Sequence, residues 1–152
     1  MSTINLNDLP THLKFIYCWT YIRYYENLIK YTDDSKYGSK YLEEKMLYRD
    51  TIMSFLNKDS EMYIKENAFK LQDEGKYQES CQILMDIFSK EEPYTHSYAM
   101  SAMSLAIIYG YMKDDTQVEK YLALAAITDT RLAVKENEAF WHWLSTYMIK
   151  VM

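Results

Sequence analysis

The chain has 152 residues, 49% of them hydrophobic and 26% charged, which suits a single folded domain with a buried core and argues against disorder. Only three glycines and two prolines are present, too few for a collagen-like chain or for the turns of a β-sandwich. The net charge is −5, with 17 basic residues scattered among 22 acidic ones, so the segment lacks the basic patch that direct nucleic-acid binding needs.

Apolar residues recur three and four apart along the whole chain, the period of amphipathic helices. A first helix is predicted from about Leu9 to Tyr31, with Asp8 as N-cap and Pro10 in the first turn. Leu13, Ile16, Trp19, Ile22 and Leu28 form its expected inward stripe. Thr32–Ser35 breaks the pattern. A second helix follows from about Ser39 to Asn57, burying Leu42, Met46, Ile52, Phe55 and Leu56. Ser60 can cap a third helix from Glu61 to the terminating Gly75. Lys76-Tyr77 opens a fourth, which runs to about Lys90, and Pro93 separates it from a fifth, about Thr95 to Met112. After Lys113–Thr116 a sixth helix ends near Thr128, and Asp129 or Thr130 caps a seventh that runs to the C-terminus. Short connections make the neighbours antiparallel hairpins.

Tyr94–Met112 carries no charged residue over 19 positions, close to bilayer length. Its Thr95, His96, Ser97, Ser101, Ser104 and four tyrosines mark it as a helix buried among other helices, so no transmembrane segment is expected. The polar first ten residues do not read as a signal peptide. Cys18 and Cys81 sit among apolar neighbours and read as buried free thiols.

Between Glu61 and Pro93 the spacing becomes repetitive. Ile64, Ala68, Leu71, Gly75-Lys76-Tyr77, Ser80 and Leu84 stand at the large, small and aromatic positions of a tetratricopeptide (TPR) repeat, which this segment resembles. A second, weaker copy fits after an insertion of four residues, with Ala102, Leu105, Ala106 and Tyr109 in its first helix and Val118 and Leu122 in its second. Lys113 and Asp115 depart from the turn motif there. The fold expected is all-α, a TPR-like right-handed stack of antiparallel helical hairpins with about seven helices. Residues 1–152 form one domain on this reading, with 1–59 an N-terminal hairpin and 60–152 two TPR-like hairpins plus a C-terminal helix.

The stretch Glu119–Phe140, together with Gly75–Glu79 and His96–Met100, is similar to a family of bacterial membrane-associated transcriptional regulators. The resemblance implies a sensory repeat domain, often extracytoplasmic, followed in the family by further repeats, a membrane helix and a helix-turn-helix region. It implies a periplasmic setting if this chain is a piece of such a regulator; the chain as it stands reads as cytoplasmic.

No residues are expected to be catalytic, and no cofactor or metal is expected. His12, His96 and His142 share no ligand spacing, no glycine-rich phosphate loop exists, and Cys81 falls in the hairpin core. Carboxylate pairs such as Glu43-Glu44, Asp73-Glu74 and Glu91-Glu92 read as solvated charge. Binding is the better reading. First helices of TPR hairpins line a concave face, which would gather Met62, Lys65, Phe69, Gln72, Met103, Ile107, Tyr111, Asn137 and Trp141 for a protein or peptide partner. Tyrosines 17, 21, 24, 25 and 31 exceed what one buried stripe needs and read either as an interface or as filler at helix–helix seams; a homodimer would form through the first helix or the C-terminal end. The function expected is a non-catalytic interaction or sensor module of a signalling or transcriptional regulator. The alternatives are a stand-alone TPR-like adaptor outside transcription and a helical small-ligand binder.

Overall fold

In the computed structural model, residues 5–31 and 35–151 are described. Six α-helices follow a short 3-10 turn at Leu6–Asp8: α1 Thr11–Tyr31, α2 Ser35–Phe55, α3 Glu61–Asp73, α4 Tyr77–Lys90, α5 His96–Tyr111 and α6 Asp115–Val151. No strand occurs among the described residues, so the expected all-α class of helical hairpins holds. The chain divides into two compact units, Met1–Lys76 and Tyr77–Met152.

In the first unit α1 and α2 run antiparallel: Tyr25 lies 6.1 Å from Tyr41, and Tyr21 stacks on Tyr48 at 4.8 Å between ring centroids. Cys18, Ile22 and Ile52 are fully buried there, with Phe15, Tyr17, Tyr48, Phe55 and Leu56 packed against them. Of the expected inward stripe, Ile22 is buried and Leu28 half-buried, but its N-terminal part turns outward. Leu13, Ile16 and Trp19 are 40%, 53% and 43% exposed. Helix α1 is apolar on both faces, so periodicity alone does not choose between them. The seam is decided by tyrosine rings that pack across it, Tyr17, Tyr21 and Tyr25 of α1 around Tyr48 of α2. Trp19 stays outside under the Arg23 guanidinium, 4.8 Å from the ring centre.

The start of α1 also differs from expectation. Asn5, not Asp8, is a cap: its side chain accepts a hydrogen bond from the Asn7 amide and closes the 3-10 turn. The first amides of α1, from Leu13 and Lys14, donate to the Pro10 carbonyl at 3.0 Å. Helix α3 begins as expected, with the Tyr63 amide donating to Ser60 Oγ at 3.2 Å. It ends at Gly75, whose φ of 79° lies in the left-handed region. There the Gly75 amide donates to Gln72 and the Lys76 amide to Leu71, the crossed pair that closes a glycine-terminated helix.

In the second unit α4 and α5 run antiparallel, with Phe88 4.8 Å from Tyr98 and Tyr77 5.3 Å from Tyr111. Leu84, Ile87, Leu105 and Ile108 are buried beside Ser80, Ala99, Ala102 and Ala106. Those small side chains let the backbones approach closely, as the repeat pattern requires. Thr95 caps α5 by accepting from the Tyr98 amide. Helix α6 then packs back on α5, Tyr121 stacking on Tyr109 at 5.7 Å.

Two expectations fail in α6. It is one helix of 37 residues, so six helices stand where about seven were expected. Neither Asp129 nor Thr130 starts a new helix. The Thr128 and Thr130 hydroxyls donate to the carbonyls of Leu124 and Ala126, one turn back, and so join the helix rather than cap it. Nor is Leu122 the buried second-helix residue: it is 43% exposed, while Tyr121, Ala125 and Thr128 are buried. No described helix is long and apolar enough to cross a membrane.

Candidate functional site

Helix α5 contains no Asp, Glu, Lys or Arg over its 16 residues. A helix apolar on every side is ordinarily enclosed on every side. This one is not. Its inner face buries Ala99, Ala102, Leu105, Ala106 and Ile108, while Met100, Met103, Ile107 and Tyr111 are 68%, 42%, 50% and 54% exposed. The spacings of three and four residues place all of them on one face. The result is a solvent-facing stripe of two thioethers, one aliphatic side chain and one phenol. Tyr111 is held by stacking on Tyr77. Flexible methionine beside fixed aromatic surface suits contact with another protein.

Three of the expected binding residues, Met103, Ile107 and Tyr111, thus share this exposed face. Four others lie on α3 in the first unit. Met62 is 47% exposed. Lys65 is half-buried and pairs with Glu61 at 3.7 Å. Gln72 is half-buried, and Phe69 lies under the Arg49 guanidinium at 5.4 Å. Asn137 and Trp141 stand on α6, and their side chains lie outside the described residues. Met100, absent from the expected set, extends the α5 stripe by a turn; its three-residue spacing to Met103 was the available signal.

Sequence reasoning also missed a buried ion cluster in the first unit, and the Asp73 it took for solvated charge is a member of it, its side chain 5% exposed. Lys45 and Arg49 on α2 face Glu66 and Asp73 on α3 and Glu26 on α1. Lys45 Nζ donates to Asp73 at 2.7 Å, Arg49 Nε to the same carboxylate at 3.3 Å, and Arg49 Nη1 to Glu66. Burial raises the Glu66 carboxyl above the usual range, although the Arg49 guanidinium pulls the other way. The signal was present in the spacing: Lys45, Arg49 and the core residue Ile52 fall on one helical face, as do Glu66 and Asp73. Every cluster member is paired, so the arrangement fixes helices and offers no empty site.

Among the described residues nothing else resembles a catalytic or metal centre. His12, His96 and His142 are exposed, and among the described residues no group of three or more His, Cys, Asp or Glu could hold a metal ion. Cys18 and Cys81 are buried free thiols, and burial pushes the Cys18 thiol up, away from the nucleophilic thiolate.

No curated protein and no solved structure matches the chain. A family model described as the SusR N-terminal TPR domain matches residues 1–151. With its helical hairpins, its small-residue seams and its left-handed helix ends, this chain belongs to the SusR N-terminal TPR domain family.

Proposed function

We propose that the chain is a non-catalytic interaction and sensing module of a bacterial signalling or transcriptional regulator, and that it docks a protein partner on the exposed face of α5. The observation that carries this reading is the uncharged α5 helix with Met100, Met103, Ile107 and Tyr111 turned to solvent. Such a stripe is costly to hydrate, and covering it with an amphipathic helix or peptide removes apolar area from water. TPR-type domains present their ligand surfaces on helix faces of this kind. The similarity of Glu119–Phe140 to membrane-associated transcriptional regulators supports the regulatory setting.

The test uses the bacterium that makes the protein. Deleting the chain should change a defined set of transcripts. An Ile107→Lys variant, present at normal amount, should change the same set. An unchanged transcriptome on deletion would overturn the regulatory reading. A normal transcriptome with I107K would overturn the α5 docking face.

A further inference from the structure

On the side of α5 away from the stripe, the second unit holds a cleft of about 520 Å³. That volume lies in the range of small-ligand sites, roughly 300–1,000 Å³. Helix α4 supplies one wall, with Gln78, Cys81, Gln82 and Met85 at successive helical turns. The end of α5 supplies Tyr109 and Met112, and Asp114 stands at the start of α6. Tyr109 is two residues from both Ile107 and Tyr111, about 200° round the helix, so cleft and stripe are separate surfaces.

The lining is held in place. The Tyr109 ring stacks on Tyr121 with 3° between planes. Its hydroxyl is hydrogen-bonded with the buried Cys81 thiol, and that bond with burial pushes its ionisation well above the ordinary phenol range. The Tyr121 hydroxyl in turn donates to the Met85 sulfur at 3.2 Å. Aromatic face and thioether are therefore positioned before any ligand arrives, which lowers the entropy lost on binding.

The charge is one-sided. Asp114 is the single charged residue of the lining, and no Lys or Arg contributes to it. One Asp114 oxygen accepts from the Gln117 amide at 3.3 Å and caps α6. Among the described residues no cation pairs with this carboxylate. The two glutamine amides add neutral acceptors beside it. A phenol ring and two thioethers are polarizable surfaces that tolerate a weakly hydrated cation.

We propose that this cleft binds a small organic cation, an ammonium group on a compact apolar body. The tyrosine ring and methionine sulfurs receive the body and the alkylated nitrogen, and Asp114 balances its charge. An anion would be repelled by the carboxylate, whose charge the α6 N-terminal amides offset only in part. A neutral donor can hydrogen-bond to that carboxylate but gains no charge pairing with it.

The experiment titrates the full chain with choline and follows the methyl resonances of Met85 and Met112. The comparison compound is choline's neutral isostere, with carbon in place of the ammonium nitrogen. Choline should shift both methyls saturably, and the isostere should bind about fivefold more weakly or worse. Asp114→Asn keeps a capping side chain and should cut choline affinity about fivefold while leaving the isostere unchanged. The proposal is overturned if choline gives no saturable shift, if the isostere binds equally well, or if D114N binds choline as the parent does. The isostere comparison on the unaltered protein stands even if D114N fails to fold.

Discussion

Arg49 and Glu66 face each other across the α2–α3 seam with side chains 4% and 7% exposed, at positions where helical spacing calls for core residues. Arg49 also reaches Asp73 and Glu26, so one guanidinium serves carboxylates from two other helices. Burying such charges gains little net stability, but losing one partner strands the rest. Replacing Arg49 with methionine should therefore lower unfolding stability by about 3 kcal/mol or more, and adding Glu66→Leu should recover a substantial part of it. Urea denaturation of both variants measures this. A single variant within about 0.5 kcal/mol of the parent would show the cluster to be solvated rather than buried.

Tyr48 sits among Tyr17, Tyr21 and Tyr25, and burial together with those neighbours and Glu44 raises its phenol from 10.0 to about 12. A group whose folded value is raised contributes stability fully below its ordinary value and loses it as pH climbs through the raised one. Ultraviolet titration of the sixteen tyrosines should show a class ionising near pH 12, and Tyr48→Phe should remove one phenol from it. If Y48F removes an ordinary phenol instead, the tyrosine seam is open to water.

Lys113 closes α5 with the same crossed hydrogen bonds that Gly75 makes at the end of α3, but at a φ of 57° it carries a side chain into the left-handed region. That conformation costs an L-residue roughly 1 kcal/mol, part of which glycine's greater unfolded entropy offsets. Lys113→Gly should raise stability by roughly 0.5 kcal/mol in thermal or urea unfolding. A loss of stability would mean that the Lys113 side chain makes a contact worth more than the strain.

The hairpins were legible because their punctuation is local. Ser60 and Gly75 each act on a few neighbouring amides or carbonyls, and each acts where the sequence places it. Which face of a helix is buried was less legible. On α1 both faces are apolar, and the tyrosines that settle the matter do so through partners on α2, far away in sequence. The continuity of α6 was misjudged because threonine serves equally as a cap and as a back-bonded helix residue, and only the hydroxyl geometry distinguishes them. The binding face of α5 was half legible. The Met103, Ile107 and Tyr111 spacing is plain, but an uncharged helix gives no sign of which side stays open.

The single α6 helix makes its own prediction. Amides from Asp129 to Leu132 should exchange hydrogen as slowly as those of Leu122–Ala125, because each donates within one unbroken ladder. Fast exchange confined to Asp129–Arg131 would restore the helix break that the sequence suggested.

The most direct test of the α5 docking face is photo-crosslinking in the producing cell from a benzophenone side chain at position 107, with position 119, exposed on α6, as control. The account predicts a discrete adduct to another protein from position 107, absent from position 119 and lost when Met103→Lys is added. No adduct above the control, or an adduct indifferent to M103K, would contradict it.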